Sequence, residues 1–362
     1  MKEMAHMNKF MSIFRRESAV IPVVSIIIGL LLGALIMLIG GYDPLLAYES
    51  LVIKIFGSSY DFGEALRSIV PLVMCGLAVG IAFRAGLFNI GVDGQIIMGS
   101  LGALIVGTKL SLPPLLHAIV AVIFGAILGG LWGALVGYIK AKRGINEVIT
   151  SIMFNFIALY FSHYMIRTFM PQAGTQRSAM IEESASIQIG WLTQLMGGAR
   201  IHWGFLLTIL AVIFYHIYLN RTKWGYELRA VGLNPDAAEY AGMKVSNVMV
   251  RTMFISGVFG GLVGTFEVLG VFKYIAINSV TSGLGFDGIA VALLGGNTAL
   301  GVLLSGMLIG ALTYGSQGMS FGAEVPGEII RMVIGFIIFF VAAPGIVKLF
   351  FRPLTNKMKK KV

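Results

Sequence analysis

Ten separate stretches of this chain are too apolar to face water, and several are long enough to cross a lipid bilayer. A hydrocarbon core of about 30 Å takes about 17–25 apolar residues in a helix. Candidate runs fall at 20–41, 65–83, 94–108, 115–138, 147–166, 204–219, 248–269, 288–296, 299–314 and 328–343. The eighth is too short to span unaided and is predicted to be a broken or re-entrant helix, which survives only where protein or a watery cavity encloses it. Among 362 residues, 57% are hydrophobic and 12% charged, whereas a soluble domain carries about 25% charged residues. The sequence therefore predicts an all-α polytopic membrane protein of about ten transmembrane helices. No short apolar region with a small-x-small cleavage site precedes the first run, so that run reads as an uncleaved signal anchor. The 47 glycines suit membrane helices that pack backbone against backbone. One cysteine, Cys75, rules out an intrachain disulfide or a Cys-based zinc cluster.

The net charge of +10 invites a nucleic-acid reading, but aromatic residues are not interleaved with the basic ones as a base-stacking platform needs. Membrane orientation explains the charge better. With ten crossings and the N-terminus inside, 19 of the 27 Lys and Arg residues fall on the cytoplasmic side and 8 on the other. That partition predicts both termini in the cytoplasm. Two connections are longer than geometry requires: 167–203, outside, with Glu182 and Glu183, and 220–247, in the cytoplasm. Long loops in compact domains are commonly functional.

The chain also repeats itself. Gly91-Val92-Asp93-Gly94 opens the third run and Gly285-Phe286-Asp287-Gly288 the eighth. Gly133-Ala134-Leu135 recurs as Gly310-Ala311-Leu312, and Asn146-Glu147-Val148-Ile149 is echoed by Gly327-Glu328-Ile329-Ile330. The topology puts the first Gly-x-Asp-Gly at the cytoplasmic side and the second at the outer side, so the halves are inverted repeats, as in many transport folds. The expected organisation is 1–64, a cytoplasmic N-terminus, first helix and outer loop; 65–166, the first repeat; 167–203, an extracellular loop; 204–247, the sixth helix and a cytoplasmic coupling loop; 248–343, the second repeat; and 344–362, a basic cytoplasmic tail.

The most specific segment runs from Phe83 to Gln95. Polar Asn89, Asp93 and Gln95 stand beside Gly86, Gly91 and Gly94, which is costly at membrane depth unless the backbone turns there. Glycine permits the turn, and the polar side chains can bond the freed backbone groups. A helix-breaking cap and a direct role in substrate passage are both open. Asn234-Pro235-Asp236 is a helix start, with Asn as cap and Pro in the first position. Gly242 is a stop, so a short helix of small residues is expected over 236–241. Glu147 falls where a helix macrodipole welcomes a carboxylate. Glu64 and Arg67 have helical pairing distance, Glu267 ends the seventh run, and mid-helix Asn155 suits an interhelical hydrogen bond or a pore lining. The histidines show no metal-ligand spacing. No Gly-x-Ser-x-Gly elbow, zincin motif or Gly-x-x-x-x-Gly-Lys-[Ser/Thr] phosphate loop occurs.

Three of these segments resemble one family. Gly86-Leu87-Phe88-Asn89-Ile90-Gly91-Val92-Asp93-Gly94-Gln95 is similar to the signature of permease subunits of bacterial ABC importers for nucleosides and simple sugars, with Asp93 in place of the usual Glu. Asn146-Glu147-Val148-Ile149, continuing to Asn155, resembles a second segment of this branched-chain amino acid and ribose-type permease family. Arg229 to Met243 resembles its cytoplasmic loop. The likeness covers most of 65–343 and is nearest to the purine-nucleoside (guanosine-type) group. It implies a transport subunit, not an enzyme, that takes up purine nucleosides, with simple sugars as an alternative and an ion-coupled secondary transporter as a more distant one. It implies no cofactor on this chain, with ATP and Mg on a partner ATPase. The other implied partners are a second, shorter permease and an extracellular substrate-binding lipoprotein. The implied location is the bacterial cell (inner) membrane. The ATPase-coupling helix would comprise Asn234, Pro235, Asp236, Ala237, Ala238, Glu239, Tyr240, Ala241 and Gly242. Signature or pathway candidates are Asn89, Gly91, Asp93, Gly94, Gln95, Asn146, Glu147, Asn155 and Asp287.

Overall fold

A computed structural model describes residues 17–343; the N-terminal cations and the basic 344–362 tail used in the charge count lie outside the described residues. Within them the chain forms fourteen α-helices and no strand. Six helices are long and apolar enough to cross a membrane: Ser59–Arg84 (α3), Pro114–Arg143 (α5), Glu147–Phe169 (α6), Gly204–Arg221 (α8), Val245–Phe266 (α11), which runs on through a π-helical turn at Glu267–Phe272, and Ala299–Gly322 (α13). Glu17–Ile39 (α1), Val92–Lys109 (α4), Leu284–Leu294 (α12) and Gly327–Ala342 (α14) account for the remaining apolar runs. The short eighth run is indeed an 11-residue helix.

Three helices fall where loops were expected. Pro44–Phe56 (α2) occupies the stretch read as outer loop, and Lys223–Leu233 (α9) lies in the 220–247 connection. Gly190–Leu195 (α7) sits within 167–203. Neither α2 nor α9 shows the long apolar run that marks a span. The remaining helix, Pro235–Tyr240 (α10), forms where its cap signals put it.

The described residues divide into two compact units, those up to 55 with those from 312 onward, and 56–311. In the first, α1 and α14 pack closely: a Cβ added to Gly29 would sit 2.6 Å from the Ile337 backbone. The Tyr48 hydroxyl donates to the Leu30 carbonyl at 2.6 Å.

In the second unit α3 and α11 are mostly buried, while α5, α6 and α8 each turn a broad apolar face outward. The centre is a backbone-to-backbone seam. A Cβ on Gly129 would lie 2.5 Å from Gly261 Cα, one on Gly257 2.3 Å from the Gly129 carbonyl, and one on Gly99 2.1 Å from the Gly261 carbonyl. Lipid tails offer helices no hydrophobic drive to associate, so close van der Waals packing through small residues holds α4, α5 and α11 together. Overpacking such a seam costs about 1–3 kcal/mol. Gly257→Ala should therefore lower the melting temperature of the detergent-purified protein, whereas Gly335→Ala, whose Cβ meets nothing within 4 Å, should leave it unchanged.

Candidate functional site

The chain turns back on itself immediately after α3. Gly86, at φ +71, takes the left-handed conformation that closes a helix most cheaply, and Leu87 N–H bonds the Ala82 carbonyl at 3.0 Å. Residues 85–91 then re-enter the bundle. Asn89 is buried; its amide donates to Ser256 Oγ at 2.7 Å, and Ser256 in turn bonds the Ala78 carbonyl. Helix α4 starts only after this ascent, at Val92.

Backbone broken inside a bilayer must find partners within the protein, and here side chains supply several of them. Asn89 Oδ1 accepts from Gly91 N–H at 2.9 Å. Asn155, from α6, accepts from Gly94 N–H at 2.8 Å and donates to the Ile90 carbonyl at 3.0 Å. Gln95 is buried against Asn89. Asn146 caps α6 by accepting from Val148 N–H at 2.8 Å. Glu147 pairs with Lys140 of α5 at 2.9 Å and lies 3.5 Å from Phe88 N–H. Asn155 thus makes an interhelical bond, one of the two roles its position left open.

The depth of the two Gly-x-Asp-Gly tetrads differs from the sequence reading. They do not lie at opposite sides; the structure brings them together. Ser282 Oγ and Gly285 N–H both donate to Asp93 Oδ1 at 3.2 Å, and a Cβ on Gly288 would sit 2.6 Å from that of Cys75. At a rise of 1.5 Å per residue, Cys75 is about 24 Å from the Ser59 end of α3 and about 14 Å from the Arg84 end. The misplacement arose because run 94–108 was counted as starting at the surface, whereas 85–91 carries the chain inward first.

Asp93 is buried, and its second oxygen has no partner. Asp287 stands one turn into α12, exposed, with no hydrogen bond or ion pair to any described residue. The far end of α12 is held by groups that sequence reasoning missed. Arg84 donates to the Asn297 carbonyl at 2.9 Å and Tyr215 to the same oxygen at 3.0 Å. Arg84 belongs to the Phe83–Gln95 segment, where it counts among the cytoplasmic cations; Tyr215, Ser256 and Ser282 carry no local signal.

Toward the Arg84 end, α10 is built as expected: Asn234 accepts from Ala237 N–H at 3.0 Å, Pro235 fills the first position and Gly242 has φ +84. Ala238 is buried, so it faces the protein itself, whereas Tyr240 is 97% exposed and Leu233 89%. Gly232, in the last turn of α9, lies against Arg84: a Cβ there would come 2.2 Å from the Arg84 carbonyl.

At the opposite end of α3, Glu64 is buried between Arg67, at 2.8 Å, and Arg200 of the 167–203 segment, which donates through its backbone N–H at 2.8 Å and its guanidinium at 2.9 Å. Glu267 joins this group through Arg67 at 3.8 Å. The carboxylate raises the Arg200 pKa further. Burial, with Arg67 nearby, lowers that of His202 to about 4, so its neutral Nδ1 can accept from Gly204 N–H at 3.1 Å. Ile181 and Ile187 N–H groups bond the carbonyls of Lys273 and Leu269, fastening the segment along the π-helical turn.

Replacing Asn155 by Leu keeps the branched side-chain skeleton but strands Gly94 N–H and the Ile90 carbonyl at membrane depth, at about 1–3 kcal/mol for each buried group left unpaired. Asn155→Leu should melt well below the wild type in detergent. Ile157→Leu, at a neighbouring exposed position, should not.

Comparison with known proteins places this architecture. Residues 62–342 match the family described as "Branched-chain amino acid transport system / permease component". The chain is 43% identical to the guanosine ABC transporter permease protein NupP of Bacillus subtilis (strain 168), over 96% of its own length and 98% of that protein's. It is 35% identical to the nucleoside ABC transporter permease protein NupB of Lactococcus lactis subsp. cremoris (strain MG1363), covering 92% and 93% of the two chains. It is 30% identical to the glucose ABC transporter permease protein TsgB13 of Haloferax volcanii, covering 88% and 86%. With its long apolar helices and a match spanning most of its length, this chain is a multi-pass membrane protein and belongs to the permease-component family of branched-chain amino acid transport systems.

Proposed function

We propose that this chain is the membrane-spanning permease subunit of an ATP-binding cassette importer for nucleosides, purine nucleosides in particular. The 43% identity to a guanosine permease, sustained over nearly the whole of both chains, carries that reading. In it the chain crosses the bacterial cell (inner) membrane about ten times with both termini in the cytoplasm. The repeats 65–166 and 248–343 run in opposite senses. ATP and Mg sit on a separate ATPase, a second and shorter permease completes the pathway, and the 167–203 segment receives a substrate-binding lipoprotein.

Two observations support a coupling role for residues 234–242. Tyr240 and Leu233 are large side chains left almost wholly bare on a polar connection, as expected of an anchor for another protein. Contact also runs from α10 through Gly232 to the Arg84 backbone, and from the Arg84 guanidinium to the end of α12. Movement of the short helix therefore has a packed route to the broken helix. The small-sugar alternative is favoured by the likeness to the Haloferax glucose permease.

Purification of the tagged chain from its native membrane should recover an ATPase and a second permease. Recovery of the chain alone, with transport in liposomes under an ion gradient, overturns the assignment in favour of a secondary transporter. In the reconstituted importer, labelled guanosine uptake should resist competition by glucose or ribose; competition by a sugar selects the alternative. Tyr240→Ala should lower uptake about tenfold or more, as loss of an interface anchor does, without disturbing the fold. Ala238→Arg would test packing instead, because Ala238 is buried.

A further inference from the structure

Asp287 is a charged side chain exposed at the level of Cys75, well inside the span of α3. A helix macrodipole returns less for an N-terminal carboxylate than lipid exposure of that carboxylate costs at this depth. Lipid is therefore the wrong neighbour for this face. No described Lys or Arg pairs with Asp287, so the charge is not neutralised among the described residues. Behind it the second oxygen of Asp93, on a residue 1% exposed, also lacks a partner, and that oxygen would lie 3.1 Å from a Cβ on Gly285, in the first turn of the same helix.

The surroundings combine polar and aromatic character. Phe286, next to Asp287, is 56% exposed. Ser282 is exposed as well and bonds Asp93.

Resting on the permease reading above, we infer that Asp287 lines the water-filled solute path and accepts hydrogen bonds from a neutral, donor-rich solute of the nucleoside type. A carboxylate without a partner accepts from ribose hydroxyls or from the N–H and amino groups of a purine, and gains nothing from a solute that only accepts. Phe286 offers the adjoining flat face, on which a base stacks. Asp93, behind Asp287, holds α12 in place through Gly285 and so fixes where the carboxylate stands.

The test uses the complete importer, with its partner chains, in proteoliposomes. Cys75 is the chain's one cysteine and is buried, so the wild type serves as the unlabelled reference. Asp287→Cys should react with a membrane-impermeant charged thiosulfonate, read by mass spectrometry of this chain, and guanosine should slow the reaction. Leu131→Cys, on the apolar outer face of α5, should stay unlabelled. Asp287→Asn should assemble with the ATPase but raise the KM for guanosine about tenfold, the loss of one hydrogen bond to a charged group. A cysteine at 287 no more reactive than one at 131, or an unchanged KM in Asp287→Asn, overturns the inference. So does loss of the second permease from the Asp287→Asn complex, which would make Asp287 a subunit contact. If the wild-type importer takes up no guanosine although position 287 is labelled, the nucleoside reading has failed while the aqueous path stands.

Discussion

A polypeptide inside hydrocarbon has no water to bond its backbone, and this requirement governs the centre of the molecule. Two helices begin within the bundle, α4 after the 85–91 turn and α12 after Gly283. Each break frees N–H and carbonyl groups that cost several kcal/mol when left bare in lipid, by an order-of-magnitude estimate. Asn89 and Asn155 satisfy the first break, Asp93 the start of the second, and Arg84 with Tyr215 its end. The breaks brace one another: the signature segment that interrupts the chain after α3 supplies, in Asp93 and Arg84, groups that hold both ends of α12.

The polar brace can exist only because the helices around it are tightly closed. Glycine at 99, 129, 257 and 261 lets three helices touch through their backbones, so α4, α5 and α11 form a dense body with no room for lipid. Exposed side chains on α5, α6 and α8 are almost all apolar or aromatic, which suits lipid or a second membrane chain. Asp287 breaks that pattern, and its exposure separates a wet face from the greasy ones.

Much of this was legible in the sequence wherever the information is local. Apolar run length located the long helices, and Asn234, Pro235 and Gly242 marked both ends of a six-residue helix because caps act on neighbouring backbone. Asn89, Asp93 and Gln95 announced a break because polar groups among glycines have few other uses in a membrane. Depth was not legible, since a run of apolar residues reads the same whether it begins at the surface or partway in. Nor was the burial of Ala238 against the exposure of Tyr240, because six residues are too few to define an amphipathic face. Partners far apart in sequence, such as Arg84 with Asn297 or Glu64 with Arg200, are set by packing, which no single sequence displays.

The same geometry bears on how movement at the surface could reach the interior. Gly232 rests on the Arg84 carbonyl with no side chain between, so α9 and α10 cannot shift far without disturbing the end of α3. Arg84 donates its guanidinium to the last carbonyls around α12, and a planar, always charged donor tolerates little misalignment. The 11-residue α12 is held at its ends by Arg84, Tyr215 and Asp93 and along its length by α3, where Gly288 lies against Cys75 and Val291 against Gly76, and Ser305 of α13 donates to the Val291 carbonyl at 2.7 Å. A displacement of α3 at Arg84 is therefore carried to α12 and to the position of Asp287. The glycine seam of α4, α5 and α11 and the packed α3–α12 pair are therefore distinct contacts of one unit, joined at Asp93, which sits on α4 and bonds the first turn of α12.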